Sequence, residues 1–246
     1  MKNRLKLITS VVLLFIATLV QAQYLKQNNF YDLALSTNGS QHTGALAWNH
    51  LHGIGKNKKF NIGYGLRFTG NFGKDADYIT APAKLTTGNG GPLVLFQETK
   101  EENLDTLRFS SYNTNSLNLT IHLNYQFTKK VEVEFNIDAV GFSFGSHEEA
   151  DYTSSKRLQS PNKGTKQHAK PTTLNALLTS DNDWGSLNSE ILLKYWFKPK
   201  WAIKVGGTFV FSEYTTDNDL FLDNNRFRNK AFLGMIGVSY SPYRSN

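Results

Sequence analysis

Three observations predict an all-β chain folded as a single up-and-down antiparallel transmembrane β-barrel, with eight strands favoured and ten as the alternative. Strand-length segments alternate apolar and polar residues, their connections alternate strictly between short and long, and the one long apolar run lies at the N-terminus. The alternation is clearest over 117–144, where Leu117, Leu119, Ile121, Leu123, Tyr125 and Phe127 are interleaved with Asn118, Thr120, His122, Asn124 and Gln126. After the connection Thr128-Lys129-Lys130, Val131, Val133, Phe135 and Ile137 are interleaved with Glu132, Glu134, Asn136 and Asp138. Successive side chains of a strand point to opposite faces, so each segment carries one apolar and one strongly polar face. A barrel in lipid turns the first outward and the second inward.

The first residues stand apart from this pattern. Lys2, Arg4 and Lys6 form a basic head, Leu7 to Val20 an apolar run broken by Thr9, Ser10 and Thr18, and Val20-Gln21-Ala22 ends in a small residue that signal peptidase prefers. The run is short for a membrane-anchoring helix. Residues 1–22 are therefore expected to be a removed signal peptide, and 23–246 the mature barrel of 224 residues. Removal lowers the formal charge from +7 to +4, and the remaining basic residues are dispersed, which argues against nucleic acid as a partner. The chain has no cysteine, so disulfides, thiolate metal sites, thiol nucleophiles and a lipid-bearing cysteine are excluded together.

Taken in order, Phe30 to Thr37 places Tyr31, Leu33, Leu35 and Thr37 on one face and Asp32, Ala34 and Ser36 on the other. Asn38-Gly39-Ser40 is a tight-turn signal. The segment from Gln41 to Ile54 is the least regular, because His42, Gly44, His50 and His52 share the parity of Leu46 and Trp48. Lys56-Asn57-Lys58 turns the chain into Phe60, Ile62, Tyr64, Leu66 and Phe68, which alternate with Asn61, Gly63, Gly65, Arg67 and Thr69. Asn71 to Ser110 reads as a long connection rich in Gly, Thr and charge, with Leu93 to Phe96 a candidate short strand.

Beyond the central hairpin the pattern changes phase near Ala139, so that Val140, Phe142 and Phe144 take the parity of Glu132 and Glu134. A β-bulge there would restore their outward direction, and emergence from the bilayer is the alternative. Gly145 to Trp184 reads as a solvated loop with a short helix or strand at Thr173 to Leu178. Leu187, Ser189, Ile191, Leu193, Tyr195 and Phe197 oppose Asn188, Glu190 and Lys194. Lys198-Pro199-Lys200 leads to Trp201, Ile203, Val205, Gly207, Phe209 and Phe211, set against Ala202, Lys204, Gly206, Thr208 and Ser212. A polar loop over 213–228 precedes the last strand, from Lys230 to Tyr240, in which Phe232, Ile236, Val238 and Tyr240 share one parity.

The connections sort into two kinds. Those at 56–58, 128–130 and 198–200 are short and basic, whereas those near 71–110, 145–184 and 213–228 are long. Short periplasmic turns and long outer loops segregate in this way in membrane barrels, and the result is eight strands with both termini periplasmic. An extra hairpin hidden in one long loop would make ten. Tyr125, Phe127, Tyr195, Trp196, Trp201 and Tyr240 fall near the short turns, where an interfacial aromatic girdle is expected. A soluble β-sandwich would tolerate the loops but gives no reason for their segregation.

Eight strands enclose a space largely filled by side chains. Arg67, His122, Glu132, Glu134, Asp138, Glu190, Lys194 and Lys204 are the inward candidates, as a closed polar core or, in the alternative, as the lining of a narrow lumen or ligand pocket. Burial demands that their charges pair and that neighbouring Asn and Gln complete the hydrogen bonds. No spacing marks a catalytic nucleophile with its base, so no enzyme is expected. His42, His50 and His52 lie too far apart along one strand to converge on a metal, and Asp217, Asp219 and Asp223 lack a calcium-loop pattern. Neither a metal nor another cofactor is expected.

With these features the chain resembles the small outer-membrane β-barrel proteins of Gram-negative bacteria, the class containing the OmpA transmembrane domain, OmpX and OmpW. The resemblance covers nearly all of residues 28–243 and lies in architecture, not in a specific motif. It implies insertion by the outer-membrane assembly machinery, contact with outer-membrane lipids, a monomeric state, and long loops that meet an external protein or small ligand. In that class the assembly signal is a C-terminal strand ending in an aromatic residue. Val238, Tyr240 and Tyr243 are similar to it, whereas Pro242 and Arg244-Ser245-Asn246 depart from it.

Overall fold

The computed structural model describes residues 28–88, 98, 100–154, 163–178 and 182–243. The expected signal peptide, residues 1–22, and the candidate strand Leu93 to Phe96 lie outside them. The chain forms β1 (Asn28–Thr37), β2 (Gln41–Ile54), β3 (Phe60–Thr80), the short helix α1 (Ala83–Thr87), β4 (Thr106–Gln126), β5 (Val131–Gly145), β6 (Glu148–Thr153), β7 (Lys166–Pro171), β8 (Leu174–Ala176), β9 (Leu187–Lys198), β10 (Trp201–Thr216) and β11 (Arg226–Tyr240). None of the described helices is long and apolar enough to cross a membrane.

Eight strands close a ring in the order β1, β2, β3, β4, β5, β9, β10, β11 and back to β1, every neighbour antiparallel. Outside the ring Leu33, Leu35, Leu66, Phe68, Leu119, Ile121, Ile191, Val205, Phe209 and Ile236 are exposed in one continuous apolar band. Inside it the buried residues are predominantly polar and charged. This inverted distribution is stable only where the exterior solvent is itself apolar, and closure leaves no unpaired strand edge to face that solvent.

The phase change near Ala139 is a β-bulge. Leu119 pairs with Val140 while Thr120 pairs with Asp138, which leaves Ala139 as the extra residue. Its insertion keeps Val140, Phe142 and Phe144 on the exposed face.

The long connections are more ordered than composition suggests. β3 and β4 each run for 21 residues, roughly 70 Å, and pair as far as Ile79 with Thr106. Residues 71–80 and 106–110 of that connection are therefore strand, not loop. The 145–184 connection contains the β6–β7 hairpin and β8, and the 213–228 connection shrinks to 217–225. The hidden hairpin does not join the eight-stranded ring. Instead β3, β4, β6, β7, β10 and β11 close a second, six-stranded ring above the first.

Two parity changes made this upper storey invisible to a period-two reading. On β3 the buried series Asn61, Arg67, Thr69 and Asn71 gives way to Tyr78 and Thr80, with Asp75 at φ 49° between them. On β4 the series Tyr112, Thr114, Ser116 and Asn118 changes to Leu107 and Phe109 across Ser110 and Ser111. The upper ring also has a different interior: Tyr78, Leu107, Phe109, Tyr112, Tyr152, Tyr214 and Phe227 form one buried cluster. Its exterior, with Asp77 and Arg108 exposed, is polar. That is the distribution of a protein domain in water.

Candidate functional site

The interior of the eight-stranded ring is built by strand parity, since every second residue on each strand faces the axis. Phe30, Leu51, Trp196 and Ala202 pack together at the short-turn end. Lys194 Nζ lies 4.6 Å from the Phe30 ring centroid and 2.7 Å from Glu134 Oε2. Glu134 Oε1 is 3.2 Å from His122 Nδ1 and 3.5 Å from Lys204 Nζ. Lys204 also donates to Asp32 Oδ2 at 2.7 Å, and Asn49 Nδ2 donates to the same oxygen at 2.8 Å.

One layer further, Arg67 organises a second group. Its guanidinium reaches Asp138 Oδ1 at 2.6 Å and Glu190 Oε1 at 2.6 Å, and donates to Asn136 Oδ1 and to the Asn188 carbonyl. Asp138 Oδ2 accepts from Asn118 Nδ2 at 2.9 Å and from the Asn188 backbone N–H at 2.8 Å. Glu190 Oε2 accepts from Asn136 Nδ2 at 2.9 Å. Glu132 accepts from Asn124 Nδ2 and Trp196 Nε1. Arg67, His122, Glu132, Glu134, Asp138, Glu190, Lys194 and Lys204 are thus all buried; Glu132 is held by Asn124, Gln126 and Trp196, and hydrogen bonds and ion pairs link the others. Charges taken from water need this density of partners.

Asp32 was not among the candidate residues, although its parity with Ala34 and Ser36 on β1 marks it as inward. Five carboxylates (Asp32, Glu132, Glu134, Asp138, Glu190) here face three fixed cations (Arg67, Lys194, Lys204), with His122 against Glu134. The space between Asp32, Asn49, Arg67, Thr120, Glu190 and Lys204 amounts to about 10 Å³, the room of a single water. A continuous aqueous path would need far more.

The girdle assignment requires one correction. Tyr125, Phe127, Tyr195 and Trp201 are exposed on the outer face, and Tyr240 is half-buried against Trp201 at 4.8 Å between centroids. Trp196 is only 3% exposed and points inward. Tyr195 and Trp196 are consecutive on a strand, so they cannot both face lipid. The indole instead packs tilted against Phe30, at 5.9 Å between centroids, and donates to Glu132 Oε1 at 2.8 Å. Trp48, His50 and His52 on β2 and Tyr64 on β3 form a run of ring contacts, and His50 Nδ1 bonds Asn29 Oδ1. No group of three metal-ligating side chains occurs among the described residues.

The upper ring is sealed by aromatic packing. Tyr78 meets Phe109 at 5.0 Å and Tyr214 at 5.3 Å, both edge-on, the preferred geometry for ring quadrupoles. Three of the four buried phenols of this cluster find polar partners, Tyr78 with Ser212 Oγ, Tyr152 donating to Asp105 Oδ2, and Tyr214 donating to the Asn113 carbonyl, whereas the Tyr112 hydroxyl has none among the described residues. Between the storeys residues 172–178 and 182–186 are pinned to the wall. Asn175 Nδ2 donates to Asn118 Oδ1, and Arg226 and Arg228 both donate to the Asp183 carbonyl while pairing with Glu213. At the rim of the upper ring Lys166 Nζ sits 2.5 Å from Glu149. The hydrogen bond from Lys166 holds the Glu149 carboxyl below its ordinary range and raises the ammonium.

No family model matches the chain, and the search of curated proteins returns no match. Among solved structures, the chain is similar to neisserial surface protein A, with 10% identity, a TM-score of 0.36, and coverage of 87% of this chain and 93% of that one. It is also similar to the attachment invasion locus protein Ail of Yersinia pestis, with 10% identity, a TM-score of 0.34, and coverage of 87% and 97%. A major outer membrane protein from Thermus thermophilus gives 12% identity, a TM-score of 0.37, and coverage of 87% and 99%. The barrel itself is established by strand closure and by the inverted distribution of polar and apolar residues.

Proposed function

We propose that this chain is a closed outer-membrane barrel that carries a rigid outer storey as an interaction platform, with both termini in the periplasm. The observation that carries the reading is the filled interior. The lower ring is occupied by a paired charge network, with a space of about 10 Å³ between Asp32, Asn49, Arg67, Thr120, Glu190 and Lys204, and the upper ring by a packed aromatic cluster. Two seals in series oppose a conducting role. Strands extended well beyond a span of about 10 residues support presentation of the outer surface to an external protein or small ligand. The reading assigns no catalytic role to any residue, and it expects insertion by the outer-membrane assembly machinery as a monomer.

The test is conductance of the folded, signal-free protein in a planar bilayer, after its electrophoretic mobility is seen to change on heating. No steady conductance from folded protein is expected. A reproducible open conductance would assign a narrow channel instead, with Arg67, Glu134, Lys194 and Lys204 setting its selectivity.

A further inference from the structure

The step from eight strands to six leaves a notch on the outer wall. β1 pairs with β11 only up to Thr37 opposite Gly234, and β2 pairs with β3 only up to Gln41 opposite Gly73. Above the Asn38-Gly39-Ser40 turn, β3 and β11 meet each other directly, at Ile79 opposite Arg228. Below that seam lies an apolar groove of about 790 Å³, lined by Leu35, Thr37, Gly44, Phe72, Gly234 and Ile236. Its volume falls within the range of roughly 300–1,000 Å³ typical of ligand sites.

The position of the groove selects its occupant. Leu35, Phe72 and Ile236 belong to the exposed apolar band, so the groove is a recess in the surface already turned to lipid. Its floor is low because Gly44 pairs with Gly70, and Gly234 lies across Thr37. The upper rim is polar and carries cations. Lys74 donates its backbone N–H to the Ser40 carbonyl beside the turn and has an exposed side chain, and Lys230 is exposed on β11 four residues above Gly234, its ammonium 5.5 Å from the centroid of the Phe211 ring on β10. Asp75 is exposed on the same rim, while Asp77 is engaged by Arg108 at 2.8 Å. Apolar recess below and ammonium groups above match an amphiphile with an acyl chain and an anionic head.

We infer that this notch is a binding site for a phosphorylated lipid of the outer leaflet, its acyl chain in the groove and its phosphate at Lys74 and Lys230. The inference rests on the membrane placement proposed above, and is independent of whether the barrel conducts. The recess can be filled without disturbing the fold, because a Cβ at Gly44 would meet only Leu35 at 3.7 Å, and one at Gly234 only the Thr37 carbonyl at 3.8 Å.

The experiment is native mass spectrometry of the full folded protein in detergent, titrated with bis-phosphorylated lipid A and, separately, with phosphatidylcholine. Heat-modified mobility is checked first for each variant, so that a failure of barrel formation is seen as such. Wild-type protein is expected to retain one lipid A in preference to phosphatidylcholine. Gly44→Leu with Gly234→Leu should weaken retention about tenfold by filling the groove. Lys74→Ala and Lys230→Ala should each lower the preference for lipid A by about fivefold. Retention equal in wild-type and groove-filled protein would overturn the site, as would equal retention of the two lipids, or a second copy of the chain appearing in place of lipid.

Discussion

Arg67 and Asp138 are 71 positions apart in sequence and 2.6 Å apart inside the barrel, where Asp138 is fully buried. Arg67 also neutralises Glu190. Replacing it with methionine would leave two buried carboxylates without their cation. We expect Arg67→Met to destabilise the barrel by about 3–5 kcal/mol, as for other broken buried pairs. Urea unfolding in lipid vesicles, followed by tryptophan fluorescence, measures this directly.

The inward direction of Trp196 separates it from its neighbours on the chain. Of the four tryptophans, variants retaining Trp201 alone should be strongly quenched by brominated lipid, because that ring is 44% exposed on the lipid face. Variants retaining Trp196 alone should be quenched little. Equal quenching would return Trp196 to the girdle.

Ala139 carries no functional group, yet its insertion sets the direction of everything after it on β5. Its deletion would turn Val140, Phe142 and Phe144 inward and bring Gly141 and Ser143 to the lipid face, since a one-residue slip exchanges the two faces of a strand. We expect the deletion variant to lose heat-modifiable mobility, whereas Ala139→Ser should keep it.

Tyr78 lies at the centre of the upper cluster, with Phe109, Tyr112 and Tyr214 around it. Tyr78→Ala should cost about 3–5 kcal/mol locally, the range for large aromatic truncations. The effect should be confined to the upper storey. Hydrogen exchange is expected to rise in β6 and β7 while the amides of the lower ring stay protected; a uniform rise would show that the two storeys unfold as one unit.

The Glu149 carboxyl, held low by its hydrogen bond from Lys166, provides a pH reporter on the β6–β7 hairpin. Because its folded value is depressed, the contribution of the pair is present above the ordinary carboxylate range and is lost as pH falls through the folded value. Carbon-13 NMR of the carboxyl should show a midpoint below that of a free glutamate, and Lys166→Met should move it back up. No upward movement would dissociate the shift from this contact.

The sequence by itself determined the lower ring. The two faces of most strands and the inward charges from Arg67 to Lys204 follow from a period of two, a local property of the backbone, and eight strands follow from the alternation of short and long connections. At Ala139 the sequence left a bulge and emergence from the bilayer both open, and the pairing register decided for the bulge. Where that period breaks, local reading fails. The parity changes at Asp75 and at Ser110-Ser111 disguised Tyr78, Leu107 and Phe109 as parts of a polar loop, although they are the core of a second ring. Trp196 was misplaced for a related reason, because proximity to a turn was weighed above parity. Only the tertiary structure decided which charges meet, since Lys204 finds Asp32 across 172 residues and Arg67 finds Glu190 from another strand of the ring. Closure of the sheet brings such residues together, and alternation along a single strand carries no information about which neighbour lies across the barrel.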